Sequence, residues 1–437
     1  MKKLILLILL TTSLYAVGEA GATYLLISPG AEAAGMGEAM VAYSGTSIMS
    51  YYNPAALIFT NSGISFNRNK WLPSIFGNSH MTFLALNYNV SIEHSIGANY
   101  QYSYFGEFYN ARAITLNYAY KLSDFSSISI SVKQCHEEYD WTIGADEEGL
   151  DYSNNIFYDL SFFRKKNNLN FGLKLANMGK PISFTDVNQA KPAPTNLSMG
   201  LFYTFYNDEH NKLSFSFQVD KLLVTRYPMM DWDGDGYVGG YDEFGSWIGE
   251  QAGEYNIDGK KEYDSKQYYD DPWYKAIITA WLDDWYLGGD IDYDGDANIG
   301  GYSCSGGELI EQSFGEITCE GGEWVFTSDL EFSDPEYGMY GKPNWRDESK
   351  LEKGSGNNRS FKIELEEMIY KFGIEYKYTE SFLLRTGYFH DKEGKVFNPT
   401  FGFGIRLLRF GFDFGYTGGK KNSSRYKTKY FTISYKF

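Results

Sequence analysis

The feature that most constrains the fold is a two-residue hydrophobic repeat in the last seventy residues of the chain. Between residues 370 and 378, apolar or aromatic side chains occupy every second position, and Lys, Gly or Glu lies between them. The alternation recurs in residues 384–388, 401–407, 410–416 and 431–437. A period of two places one set of side chains on each face of a β-strand. Aromatic residues on one face and small or charged residues on the other favour a transmembrane β-barrel; a soluble all-β sandwich is the alternative.

The N-terminus has the pattern of a secretory signal peptide, which we assign to residues 1–16. Two lysines precede an apolar run from Leu4 to Leu10, and Ala16 and Ala20 are the two candidates for the last residue removed. This run is too short to span a bilayer, and we find no stretch of about twenty apolar residues elsewhere. An exported chain with many alternating strands and an aromatic content of 18% is expected in the outer membrane of a bacterium.

The repeat predicts fourteen strands, and the links between them alternate between tight and long. The predicted strands cover residues 63–69, 80–90, 94–105, 111–122, 126–139, 154–164, 169–177, 195–206, 212–224, 368–378, 382–390, 397–407, 409–418 and 427–437. Short periplasmic turns and long outer loops produce this alternation in outer-membrane barrels. The predicted fold class is therefore an all-β membrane protein, a 14-stranded antiparallel outer-membrane β-barrel.

Two segments do not fit the strand pattern. Residues 17–60 are rich in small residues, and we predict a hatch segment in the lumen or at the periplasmic rim, because lipid tolerates no irregular backbone.

The second is a strongly acidic segment: residues 231–350 hold 29 of the 56 acidic residues but only 7 of the 39 Lys and Arg. Such a shift in composition marks a separate module. We therefore predict barrel strands in 61–226 and 366–437, with a large extracellular loop insertion at 227–365.

Several motifs resemble the PorV branch of the FadL-like outer-membrane proteins. In the hatch segment these are Gly35-Met36-Gly37-Glu38-Ala39 and Asn53-Pro54-Ala55. In the strands they are Asp220-Lys221-Leu222-Leu223-Val224 and, on the return, Leu384-Arg385-Thr386-Gly387-Tyr388-Phe389. The resemblance covers roughly residues 20–226 and 360–437.

The resemblance implies a non-enzymatic protein of the type IX secretion system. Members of this branch take exported cargo by its C-terminal domain and deliver it to other type IX components at the cell surface. Two alternatives remain open: a FadL-like hydrophobic-solute channel, and a barrel-anchored calcium-dependent surface adhesin. The enlarged acidic loop and the short Thr225-Arg226-Tyr227-Pro228 run depart from the family pattern.

Two stretches of the insertion resemble calcium-binding loops. The first places carboxylates at positions 1, 3, 5 and 12 and a backbone carbonyl at position 7, through Asp231, Asp233, Asp235, Asp242 and Tyr237. The second repeats the pattern with Asp292, Asp294, Asp296 and Asn298. A hard cation needs several oxygens close together, so this spacing predicts Ca²⁺. A solvated acidic turn would explain the charges but not the spacing.

Cys304 and Cys319 are fifteen residues apart in the same insertion and form a candidate disulfide in an exported chain. We find no phosphate-binding loop, zinc spacing or nucleophile motif, which argues against an enzyme. The acidic exterior disfavours nucleic acid as a partner. The expected partners are type IX components, cargo C-terminal domains and outer-membrane lipid.

Overall fold

The computed structural model describes sixteen stretches of the chain. These are residues 20–71, 79–106, 109–139, 152–184, 190–228, 240–241, 247–248, 268–282, 302–305, 308–311, 317–321, 323–326, 361–392, 394, 396–419 and 425–437. The contacts between residues divide the chain into two units. The first contains Met1–Leu223 and Glu366–Phe437, and the second contains Val224–Leu365. The predicted signal peptide lies outside the described residues.

The first unit is a closed barrel of fourteen strands, each antiparallel to its neighbours. The nine strands before the insertion are β1 (Gly63–Lys70), β2 (His80–Asn89), β3 (His94–Tyr104), β4 (Tyr109–Ser123), β5 (Ser126–Tyr139), β6 (Tyr152–Lys166), β7 (Leu169–Gly179), β8 (Asn196–Asn207) and β9 (Asn211–Leu222). The five after it are β18 (Ile369–Tyr378), β19 (Phe382–Asp391), β20 (Val396–Leu407), β21 (Phe410–Thr417) and β22 (Thr428–Lys436). The predicted 14-stranded antiparallel barrel is confirmed.

The last strand closes the ring against the first. Residues 63–67 of β1 pair with residues 432–436 of β22, so neither strand presents an unpaired edge over that length. β9 and β18 are also neighbours, with Asp220 opposite Ile369 and Phe217 opposite Phe372. The insertion therefore leaves and re-enters the barrel between two paired strands.

The barrel is apolar outside and polar inside. On β4, Ile114, Leu116 and Tyr118 are exposed, while Thr115 and Asn117 are buried. A soluble sandwich would bury the first set and expose the second. The inverted pattern is that of strands in lipid, whose other face lines a lumen.

Strands are joined by tight turns at one end of the barrel, and the turn residues have local stabilising bonds. In the turn between β8 and β9, Asp208 accepts hydrogen bonds from the Tyr206 hydroxyl at 2.6 Å and from the Asn211 amide at 2.6 Å. These bonds favour the ionised carboxylate and hold the pKa of Asp208 well below its ordinary value. An aspartate that bonds its own following backbone is a common turn former.

In its described residues, the second unit contains short paired strands and a helix. The strands are β10 (Arg226–Pro228), β11 (Gly240–Tyr241), β12 (Trp247–Ile248), β13 (Tyr268–Asp270), β14 (Tyr302–Ser305), β15 (Glu308–Glu311), β16 (Ile317–Glu320) and β17 (Glu323–Phe326). They pair as β10 with β13, β11 with β12, β14 with β17 and β15 with β16. The helix is Trp273–Thr279, and a further helix, Phe361–Glu366, precedes β18.

The hatch segment contains only short helical pieces. They are two α-helical turns, Ala31–Gly35 and Met49–Tyr52, and two 3₁₀ turns, Thr23–Leu26 and Pro54–Phe59. In the described parts of the chain, no helix has both the length and the apolar character needed to cross a bilayer.

Candidate functional site

The hatch segment, described from residue 20 to residue 60, lies within the lumen of the barrel. Its backbone is bonded to strands around the ring. The Ala31 amide donates to Thr432 Oγ1 at 2.8 Å on β22, and the Met40 amide donates to Gln218 Oε1 at 2.8 Å on β9. On the other side, Asn99 Nδ2 of β3 donates to the Ser50 carbonyl at 2.9 Å. These lumen-facing side chains satisfy backbone groups that would otherwise be buried without partners.

A row of glycines lets the hatch backbone touch the barrel wall. Gly373, Gly387, Gly402 and Gly415 occupy lumen-facing positions on four successive strands, with Gly373 opposite Gly387 and Gly402 opposite Gly415. A Cβ added to Gly387 would lie 2.3 Å from the Gly37 nitrogen, and one added to Gly415 would lie 2.5 Å from the Ala31 carbonyl oxygen. No side chain fits at that distance. We call these four residues the glycine floor.

The Asn53-Pro54-Ala55 motif joins the hatch to a second part of the wall. Asn53 is fully buried, and its Nδ2 donates to the Val41 carbonyl at 2.8 Å and to the Phe162 carbonyl of β6 at 3.1 Å. Its Oδ1 accepts the Ala55 amide at 3.2 Å, which caps the 3₁₀ turn that Pro54 begins. One amide side chain thus fixes the hatch chain at two points and attaches it to the barrel.

A buried charge cluster lies on the tight-turn side of the glycine floor. Arg385 Nε donates to Glu375 Oε2 at 2.8 Å, and its Nη1 donates to Asp413 Oδ1 at 2.6 Å. Arg406 also pairs with Asp413, at 2.8 Å between Nη1 and Oδ2. The hatch reaches this cluster through the Tyr43 hydroxyl, 3.2 Å from Glu375 Oε2. Buried charges of opposite sign stabilise a structure only when close partners offset the cost of desolvation.

A second charge cluster lies on the long-loop side of the glycine floor. Lys371 Nζ is 2.5 Å from Asp220 Oδ2 and 3.7 Å from Glu38 Oε2, and Glu38 also forms an ion pair with Arg425. Glu38 has a positive φ of 65°, an uncommon conformation for a residue with a side chain. Its two cationic partners and the neighbouring Gly37 hold it there. The hatch is therefore bonded to charged wall residues on both sides of the floor.

The wall between β6 and β7 is irregular at a third charged group. The strand register shifts between Tyr158 and Leu160, and Asp159 turns inward to accept the Asn177 amide at 2.8 Å. Lys174 Nζ lies 3.0 Å from the Asp159 carboxylate and donates to the Tyr51 carbonyl of the hatch at 2.5 Å. Lys133 lies 3.4 Å from the same carboxylate. One lumen-facing aspartate beside a β-bulge thus contacts two lysines, and Lys174 links the wall to the hatch.

The predicted calcium ligands are not brought together by any described contact. Asp231, Asp233, Asp235, Tyr237, Asp242, Asp292, Asp294, Asp296 and Asn298 all lie outside the described residues. The backbones of Cys304 and Cys319 lie on β14 and β16, but their side chains fall outside the described part of the chain. Both the metal loops and the candidate disulfide stay predictions.

The sequence reasoning missed the glycine floor and the charge clusters. Glycines at alternate positions of β18–β21 were visible as members of the repeat, and Arg385 and Asp413 were recognisable as inward-facing charges. Their pairing depends on barrel closure and on a hatch that is more than 300 residues away in sequence.

These features define a class of protein: an outer-membrane β-barrel whose lumen holds an N-terminal hatch. Residues 15–229, which span the hatch and β1–β9, match the family model described as type IX secretion system protein PorV. Over that range the chain matches the PorV family, which the sequence motifs also resemble. It is an outer-membrane barrel of the type IX secretion system.

Comparison with solved structures finds remote similarities, and the curated proteins give no match. A FadL homologue from Pseudomonas aeruginosa is 9% identical, with a TM-score of 0.39, over 94% of this chain and 99% of that one. The toluene transporter TodX of Pseudomonas putida is 11% identical, with a TM-score of 0.41, over 93% of this chain and 96% of TodX. The toluene transporter TbuX of Ralstonia pickettii is 11% identical, with a TM-score of 0.40, over 92% of this chain and 96% of TbuX. We transfer no function from likenesses of this kind.

Proposed function

We propose that this barrel binds secreted cargo by its C-terminal domain and delivers it to the surface attachment complex of the type IX system. The observation that carries the proposal is the family match over residues 15–229. The role needs no chemistry of its own, so the chain acts as a carrier and not as an enzyme.

The arrangement of the lumen supports a carrier over a conduit. The hatch contacts the wall through backbone atoms at the glycine floor. On the long-loop side Glu38 pairs with Lys371 and Arg425, and on the tight-turn side the Tyr43 hydroxyl donates to Glu375. Moving it would separate the buried Glu38 from both of its cationic partners, and breaking a buried pair costs about 3–5 kcal/mol. Cargo is therefore handled at the rims and loops of the barrel while the hatch stays in place.

In this proposal the acidic insertion is an outer domain that calcium orders. The spacing of the two aspartate-rich loops supports it. Calcium that binds only the folded insertion would stabilise that fold by an amount that grows with the logarithm of its concentration above the dissociation constant. The ordered insertion would then be available to meet cargo or the attachment complex.

The experiment that tests the carrier role is recovery of the full chain, with its partners, from native outer membrane. Mild detergent extraction followed by affinity capture should recover exported proteins that share one type of C-terminal domain. An unrelated barrel captured from the same membrane is the control and should not recover them. Recovery of no such protein, at capture yields equal to the control, would remove the carrier role.

A hydrophobic-solute channel is the second candidate, and it differs from the carrier in requiring the hatch to move. Solute could cross only if the hatch left its place in the lumen. Uptake of a hydrophobic solute by liposomes containing the purified barrel, set against liposomes without it, tests this alternative. Uptake that rises with barrel content would favour the channel.

A further inference from the structure

One side of the barrel exterior carries cationic side chains without partners, at the long-loop edge of its apolar surface. Arg68 and Lys70 on β1, Arg112 on β4 and Lys429 on β22 are all exposed on the outward face, near the long-loop ends of their strands. Within the described part of the chain, these four side chains have no hydrogen-bond or ion-pair partner. A free cation at a membrane surface attracts anionic lipid.

The strand register aligns this arc. Arg68 lies opposite Thr82, Thr82 opposite Tyr102, and Tyr102 opposite Arg112, so one outward-facing row crosses β1 to β4. Neighbouring strands are about 4.8 Å apart, which puts the two arginine backbones about 14 Å apart along the row. Lys70 lies two residues farther toward the long-loop end, and Lys429 is on β22, the other neighbour of β1.

The next row toward the barrel centre is apolar. It runs from Phe66 to Leu84, Tyr100 and Ile114 across the same four strands. Phe66 and Ile114 are 43% and 49% exposed, which is the exposure of lipid-facing side chains in this barrel. Cations directly above an apolar row match an amphiphile whose phosphates lie above its acyl chains.

Two strands near this sector lack the arrangement. At the long-loop ends of β19 and β20, the outward positions near the same level include Tyr388, Phe397 and Pro399. The cationic arc ends at β5, where the outward-facing Glu138 accepts a hydrogen bond from Asn110 at 3.2 Å. The cations on β22, β1 and β4 are therefore bounded on both sides by strands whose outward positions at this level include aromatic residues or a carboxylate.

We propose that the sector formed by Arg68, Lys70, Arg112 and Lys429 binds the phosphate groups of an outer-leaflet lipid. The acyl chains of that lipid lie on the row from Phe66 to Ile114. Bound lipid would fix this face of the barrel in the membrane and would leave the other strands for other contacts. The cations act as phosphate ligands through charge and hydrogen bonds.

The test uses the full chain in detergent and lipid A as the probe, with and without its phosphates. Native mass spectrometry measures how much lipid remains bound. The variant Arg68→Gln/Lys70→Gln/Arg112→Gln should lose roughly fivefold in affinity for each cation removed. Dephosphorylated lipid A should bind the parent chain as weakly as intact lipid A binds the variant.

A matched control removes three exposed cations from the tight-turn rim, in Arg164→Gln/Lys165→Gln/Arg409→Gln. It carries the same change in charge and should keep the affinity of the parent chain. Heat-dependent gel mobility verifies that both variants are folded. The proposal fails if the control loses as much affinity as the test variant, or if phosphate removal changes nothing. It also fails if the test variant keeps lipid but loses a captured partner protein, since the sector would then be a protein interface.

Discussion

At the scale of single residues, packing in the lumen depends on glycines, which lack a side chain, as well as on charged side chains that pair. Gly387 faces Gly37 so closely that an added Cβ would lie 2.3 Å from its nitrogen, a distance that no packed side chain adopts. Asp413 does the opposite and supplies the one carboxylate that both Arg385 and Arg406 contact. Each position therefore makes a separate prediction about stability.

Gly387→Ala should destabilise the folded barrel by about 1–3 kcal/mol, because the hatch or the wall must shift to admit one methyl group. Gly418→Ala is the control, since its added Cβ would lie 3.3 Å from its nearest neighbour, the Pro399 oxygen. The measurement is the temperature at which the folded band is lost on a gel. Equal midpoints for the two variants would show that the hatch does not contact the glycine floor.

Asp413→Ala should cost about 3–5 kcal/mol, because the buried Arg385 guanidinium loses a close partner that it shares with the partly exposed Arg406. Glu380→Ala removes only an exposed partner of Lys377, 3.4 Å away, and should cost less than about 1 kcal/mol. Urea unfolding in lipid vesicles, followed by Trp fluorescence, compares the two variants. A cost for Asp413→Ala as small as that for Glu380→Ala would mean that the cluster is hydrated.

At the scale of elements, the strands were predictable and the hatch was not. The fourteen predicted strands agree with the observed ones to within two residues at each end, because a slip of one residue would turn every lipid-facing side chain inward. The hatch has no such period. Its short helical pieces are defined by contacts with distant strands, as when Ser127 donates to the Ala55 carbonyl at 2.6 Å. Asn53-Pro54-Ala55 could be singled out by resemblance, but the bonds of Asn53 to Val41 and Phe162 could not.

Asn53→Ala should weaken the hatch by about 1–3 kcal/mol, because two buried carbonyls lose their donor and the 3₁₀ turn loses its cap. Asn53→Asp keeps the acceptor for the Ala55 amide but loses both donated bonds, so it separates capping from anchoring. Hydrogen exchange of residues 39–60 measures the effect. We expect faster exchange in both variants. Unchanged exchange in Asn53→Asp would assign the role of Asn53 to capping alone.

At the scale of the whole molecule, a barrel with a bonded hatch is joined in sequence to an acidic insertion of different composition. The barrel was predictable because each strand repeats one simple pattern. The ion pairs of the lumen were not, because they join strands that are adjacent only once the ring is closed. The calcium loops remain a prediction of spacing alone.

Calcium should stabilise the insertion of the full chain by about 2.7 kcal/mol when its concentration is a hundred times the dissociation constant. Asp233→Asn/Asp235→Asn should abolish this gain. Asp329→Asn/Asp334→Asn removes the same charge outside the two loops and should retain it. Trp fluorescence during a calcium titration, reversed with chelator, is the readout. A flat titration of the parent chain at millimolar calcium would refute the metal loops.

The most direct measurement of the carrier account fixes the hatch covalently and follows cargo. Ser47 of the hatch donates to Asn87 of β2 at 2.7 Å, so Ser47→Cys/Asn87→Cys can join the two by a disulfide. Single Ser47→Cys, and the parent chain under the same redox conditions, are the controls. Surface delivery of an exported cargo protein should be equal in the oxidised double variant and in the controls. Delivery that stops in the oxidised double variant and returns on reduction would contradict the account, because cargo would then require the hatch to open.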